Sequence, residues 1–174
     1  MNLRFWCKRL KRGLVLHKLL EELLTGETAE DLEELEARAR VLLSELATAE
    51  SESPVDGPHA PEIATTALRA LAIPEVAALR PRLLPEITVF LAKTAGDRTT
   101  FVGGIVDALA LAHDGTVDIV IDWKSDFDPS ATQVGLYRAQ VRDYLAATSA
   151  REGLLVFITT GRIELLRRPD GGPL

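Results

Sequence analysis

At 174 residues and 47% hydrophobic content, the chain can bury one good core and is too short for two full domains. Its lone cysteine, Cys7, excludes a disulfide framework and, from this chain alone, a four-cysteine zinc site or iron–sulfur cluster. A net charge of -6 argues by itself against a nucleic-acid partner, but the charge is segregated. Carboxylates crowd the stretch from Glu21 to Glu52, offset there only by Arg38 and Arg40, whereas Arg4, Lys8, Arg9, Lys11 and Arg12 cluster at the start. Such segregation suits an interaction protein.

Leucines recur at helical spacing from Arg9 to Leu24, and Gly26 stands where a C-terminal cap would sit. Thr28 followed by Asp31 is an N-cap signature for a second, Glu-rich helix through about Ala47, with its acidic face in solvent. Ser51 to Pro58 reads as a loop, followed by a helix from Pro61 to Leu71 and a short helical turn after Pro74. Apolar strands follow at Pro85 to Lys93, Thr100 to Ala112 and Val117 to Lys124. Gln133 to Ala147 is helical again, and Leu154 to Thr159 and Arg162 to Leu166 complete the strands. The order predicts an α/β fold, a mixed β-sheet flanked by helices behind an N-terminal helical region. We expect a single domain over 1–174, with residues 1–82 helical and 83–168 the α/β core. No apolar run approaches the eighteen or so residues of a membrane span, and no secretory signal opens the chain, so a soluble, cytoplasmic protein is expected.

The chemistry lies in two hairpins. Asp114-Gly115 is a strong two-residue turn signal, and a turn there sets Asp107 opposite Asp122, with Cβ atoms about 5 Å apart. Gly96-Asp97 offers a similar turn one strand earlier, which sets Glu86 opposite Asp107. Aligned like charges destabilise a sheet, and a bound divalent cation is the commonest reason to tolerate them. Lys124 lies two residues after Asp122 on the same strand face, placed to orient a nucleophilic water or to stabilise charge building on phosphorus. The pattern points to a metal-dependent phosphodiesterase.

His17 shares the helical stripe of Leu10, Leu14, Leu20 and Leu24. A satisfied core histidine is the plainer account, a metal ligand or phosphate contact the other. Tyr137, Gln140 and Tyr144 fall on one helix face, which either lines a DNA groove or packs with its hydroxyls at the rim. His59 and His113 have loop-like surroundings and receive no role.

Taken together, RGLVLHKLLEELL around His17, LPEITV around Glu86, VGGIVDAL around Asp107, IVIDWKSD around Asp122 and Lys124, and YRAQVRDYLAA around Gln140 and Tyr144 are informative in their order and spacing. The chain resembles the nuclease domain of the RecB and AddA type, within the PD-(D/E)XK phosphodiesterase superfamily. The resemblance implies a restriction-endonuclease-like fold with an αβββαβ core. It implies His17, Asp107 and Asp122 as metal ligands, joined by the Trp123 carbonyl, with Lys124 catalytic and Glu86 an accessory acid. Gln140 and Tyr144 match the helix that contacts DNA or supports the site, and the resemblance moves His17 to its functional reading. Trp123 stands where tyrosine is usual, and Ala108 where arginine or leucine often follows the aspartate; neither change removes a ligand.

The implied activity is a Mg2+-dependent DNA nuclease, with Mn2+ as the alternative ion. It would act on DNA ends or single strands in repair and recombination alongside a helicase subunit or a parent helicase chain. No G-x-x-x-x-G-K-[ST] phosphate loop is present, so no ATP site is expected. The chain then reads as a detached C-terminal piece, a split-gene product or a stand-alone relative, with Arg4 to Arg12 a former linker, a DNA contact or a docking site. Two other functions remain: a DNA-binding or helicase-docking module with a vestigial site, and a hydrolase of another phosphoester.

Overall fold

The computed structural model describes residues 3–95 and 97–168, with the backbone alone for 3–9, 91, 93–95 and 101–102. The Gly96 half of the Gly96-Asp97 turn, and the side chains of Arg4, Cys7, Lys8 and Arg9, therefore lie outside the described residues. The chain forms two compact units. A helical unit contains 1–80 with the short segments 124–126 and 158–161, and an α/β unit contains the remainder. No described helix is long and apolar enough to cross a membrane.

The helical unit begins with α1 (Leu3–Thr25), which buries Val15, Leu16, Leu19, Leu20 and Leu23. This corrects the expected stripe: Leu10 and Leu14 are more than half exposed, at 55% and 51%, and His17 sits half-buried beside the true apolar face. A leucine-rich helix offers more than one stripe at helical spacing, and partner helices decide which is covered. Helix α2 (Leu32–Glu45) starts a turn later than Thr28, because Asp31 is the N-cap and its carboxylate accepts from the backbone N–H groups of Glu33 and Glu34 at 2.9 and 3.1 Å. Thr28 instead donates its hydroxyl to Glu22 at 2.7 Å. Helix α3 (Ala60–Leu71) is capped by His59, whose Nδ1 accepts from Glu62 N–H. Its buried Ala60, Ala64, Ala67 and Ala70 let α1 and α2 approach closely. Helix α4 (Pro74–Leu79) completes this unit.

In the α/β unit five strands stand in the order β1 (Leu83–Ala95), β2 (Arg98–Leu111), β3 (Val117–Lys124), β4 (Glu152–Phe157) and β5 (Arg162–Arg167). Strands β1 and β2 pair antiparallel from Leu83↔Ala110 to Ala95↔Arg98, which is the register expected from a turn at positions 96–97. Strands β2 and β3 pair antiparallel through Ala108↔Ile121, also as expected, but the turn differs. A bulge between Ala110 and Leu111 shifts the last pair to Leu111↔Val117, and the connection is the five-residue loop 112–116, with Gly115 at φ +82°. The bulge inserts one residue beside the loop and so preserves the inner register.

Helix α5 (Ala131–Thr148) carries the chain from β3 to β4. Its N-terminus is fixed by a capping box between Ser130 and Gln133. Backbone bonds from Arg151 N–H to Asp118 and from Ile158 N–H to Lys124 advance in the same sense along both strands, so this pair is parallel. Strand β5 then returns antiparallel to β4 as an edge. The sheet is mixed and flanked by helices, with the αβββαβ order expected. Its core joins Val106, Leu109, Val120, Val141, Tyr144, Leu145, Leu155 and Phe157. Gly153 lets β4 pass beneath α5, since a Cβ there would stand 2.5 Å from Val141 Cγ1.

Candidate metal centre

Glu86 on β1, Asp107 on β2 and Asp122 on β3 occupy neighbouring strands of the α/β unit. Pairing continues in one register on both sides of Glu86 and Asp107, so the two stand opposite each other, with a carboxylate oxygen of each within 4.8 Å of the other. The pair Ala108↔Ile121 leaves Asp107 and Asp122 at the next matching positions. Asp122 is 1% exposed, whereas Asp107 is half-buried and Glu86 exposed.

The strands are irregular where these residues sit. Glu86 has φ +54°, a left-handed conformation that costs a residue with a side chain on the order of 1–3 kcal/mol. Val106 and Leu109 belong to one core cluster although three positions apart, which strict strand alternation forbids. The change lies between Val106 and Leu109, a span that holds Asp107. Asp107 Oδ2 accepts from the Trp123 backbone N–H at 2.7 Å, a charge-assisted bond that orients it, while the Trp123 ring is buried in the core.

Tyr144 on α5 reports on all three carboxylates. Its hydroxyl donates to the Ile105 carbonyl at 2.7 Å and accepts from Gln140 Nε2 at 2.8 Å. Burial pushes the phenol above its ordinary range; Gln140 opposes this, and the negative charges of Asp122, Asp107 and Glu86 add to it. Tyr144 thus lies within electrostatic reach of Glu86, Asp107 and Asp122, with Gln140 bonded to its hydroxyl. Tyr137, half-buried, packs against the core cluster that also holds Tyr144. Carboxylate oxygens on adjacent strands suit a hard divalent cation such as Mg2+.

In the helical unit, His17 is carried by α1, and half-buried Lys124 ends β3 two residues after Asp122. The backbone beside Lys124 is clamped by a residue that the motifs did not single out. Arg12 forks onto Glu62 at 2.6 and 2.9 Å and also donates to the Ser125 carbonyl at 3.2 Å and to Thr159 at 3.3 Å. Thr159 donates to the same carbonyl at 2.8 Å, and Ile158 N–H to the Lys124 carbonyl at 3.0 Å. Burial raises the Glu62 carboxyl, but Arg12 and Thr66 more than offset this, so its pKa lies below the ordinary value. Arg12, taken from sequence as part of a basic tract, is thus structural. Partners fifty and more positions away left no local signal.

Comparison with known proteins gives a family. The model of the PD-(D/E)XK nuclease superfamily matches residues 6–167. No curated protein sequence matches the chain. Among solved structures it is similar to one described as "Crystal structure of SSO0001", with 25% identity and a TM-score of 0.45 over 90% of this chain and 77% of that one. On the family match, which spans almost its whole length, the chain belongs to the PD-(D/E)XK nuclease superfamily.

Proposed function

We propose that the chain is a Mg2+-dependent deoxyribonuclease, acting as one nuclease domain in exonuclease-type hydrolysis of DNA ends or single strands. The observation that supports this reading is that Glu86 and Asp107 stand opposite each other with carboxylate oxygens within 4.8 Å, and Asp122 follows at the matching position of the next strand, in a member of a nuclease superfamily. Asp107 and Asp122 would hold the cation with His17 and the Trp123 carbonyl, and Glu86 would be the accessory acid. When bound, the cation supplies positive charge beside the scissile phosphate and makes water more acidic. The Lys124 ammonium would balance charge on the phosphate oxygens as water attacks phosphorus and the P–O bond to the leaving oxygen breaks. The Trp123 N–H holds Asp107 in its orientation throughout. Its setting would be repair and recombination beside a helicase, as the resemblance to the RecB and AddA type implies.

The test is digestion of end-labelled single- and double-stranded DNA at low salt with Mg2+ or Mn2+, comparing wild type with Asp107→Asn and Lys124→Ala. Metal-dependent products lost in both variants support the reading. No cleavage by wild type overturns an autonomous nuclease and favours a vestigial site kept for binding or docking.

A further inference from the structure

Helix α5 has a second functional edge. At about 100° per residue, Gln140 and Tyr144 flank one side of the buried Val134, Val141 and Leu145 face, and Arg138 and Arg142 flank the other. The first edge faces the carboxylates through Tyr144, whereas the second borders an open groove of about 510 Å³ toward β5, lined by Arg138, Arg142, Arg167 and Glu164 over Leu165 and Leu166. Within this groove Glu164 is held by Arg138 at 2.7 Å and by Arg162 at 3.6 Å, and Arg167 reaches Glu152 at 3.0 Å. Arg142 is exposed and has no carboxylate partner among the described residues. From Ala131 to Arg168 arginines outnumber carboxylates and lysine is absent, in a chain whose net charge is -6.

We propose that this α5–β5 groove binds the phosphodiester backbone of a single-stranded nucleic acid, apart from the carboxylate site. Arginine is the cation suited to phosphate, because its planar fork donates two parallel bonds and is weakly hydrated. The groove's acids are already held by arginines, so an incoming phosphate meets net positive charge, in a chain whose net charge is negative. A polyanion seated here would be retained on α5 while its end is processed across the same helix. The choice of nucleic acid over another polyanion rests on the nuclease reading.

The test is fluorescence anisotropy of a labelled single-stranded oligonucleotide in EDTA, where no cleavage can occur, with wild type, Arg142→Glu and Arg142→Ala. Both substitutions are on an exposed helix face. Arg142→Glu should weaken binding about tenfold, the value of one charge-assisted phosphate contact. Arg142→Ala should make the slope of log affinity against log salt shallower by about 0.7. Equal affinity and slope in all three proteins, or no binding by wild type at low salt, overturns the groove. Displacement by polyglutamate at matched charge overturns the phosphodiester assignment. Mg2+-dependent digestion of the same oligonucleotide, run in parallel, tests the nuclease reading separately: its absence alongside Arg142-dependent binding would sink that reading and leave the groove standing.

Discussion

The buried carboxylates of the helical unit and those of the candidate metal centre stand in contrasting surroundings. In the helical unit, buried Glu22 receives the Arg38 fork at 2.6 and 2.9 Å and the Thr28 hydroxyl, and Glu62 receives the Arg12 fork. In the α/β unit Glu86 and Asp107 bring carboxylate oxygens within 4.8 Å of each other, Asp122 follows on the next strand, and Glu86 has a left-handed backbone. A pair of opposite charges holds a fold together, whereas a cluster of like charges weakens it until a cation arrives. Neutralising substitutions should therefore have opposite consequences in the two units. Asp107→Asn should lower DNA cleavage by at least about a thousandfold, the scale on which a single electrostatic group acts in catalysis. The same variant should keep or gain thermal stability without metal and lose the rise in Tm that Mg2+ gives wild type, a rise that follows from binding to the folded state alone. A fall in metal-free stability comparable to that of the helical-unit variants would erase the contrast.

The next largest effect should come from the helical unit. Arg38→Met leaves the Glu22 carboxylate buried without its fork and should cost about 3 kcal/mol in urea unfolding. Arg38 holds the Glu22 carboxyl below its ordinary pKa against the opposing push of burial, with Thr28 assisting. A carboxyl depressed in the folded state contributes stability that is full above its unfolded pKa and is lost as pH falls through the folded one. Wild type should thus lose stability as pH drops below about 4.5, and Arg38→Met should lack that component. Parallel pH profiles for the two proteins would show that the pair does not carry it.

Much of this arrangement was legible because strand registers are arithmetic. Once hairpins were placed, the opposition of Glu86 with Asp107, and the adjacent alignment of Asp107 with Asp122, followed from residue numbers, and the bulge at Ala110 absorbed the error in the Asp114-Gly115 turn. Helices are less constrained by their own residues. The stripe of α1 was misplaced because leucines occupy two faces, and only α2 and α3 decide which is buried. The capping role of His59 and the Arg12 clamp on Ser125 were illegible for another reason: each depends on a backbone group whose position is set by tertiary structure. The left-handed Glu86 was equally hidden, since glutamate gives no sequence warning of positive φ.

Packing in the α/β unit gives a third test, smaller than the Arg38 effect. Gly153→Ala would force a methyl to within 2.5 Å of the stiff, β-branched Val141, with Val120 Cγ2 at 3.2 Å, so α5 must shift away from β4. Overpacking of this kind should cost about 2 kcal/mol. Because α5 carries Tyr144 to the carboxylates, cleavage should fall along with stability. A double variant, Gly153→Ala with Val141→Ala, should recover both in part. Full stability in the single variant would mean that the α5–β4 contact is looser than described.

The smallest effect is the sharpest on meaning. If the kink at Glu86 is kept for its carboxylate, glycine there should relieve both the left-handed backbone and the repulsion from Asp107. Glu86→Gly should then raise metal-free stability by about 1 kcal/mol, whereas Glu86→Gln, which keeps the strained backbone, should gain less. Both should weaken Mg2+ affinity, measured by the metal dependence of Tm, because both remove an oxygen anion from beside Asp107. The comparison separates backbone from charge: a loss of stability in Glu86→Gly would show that the side chain holds the kink in place, and would move Glu86 from the metal centre to the scaffold.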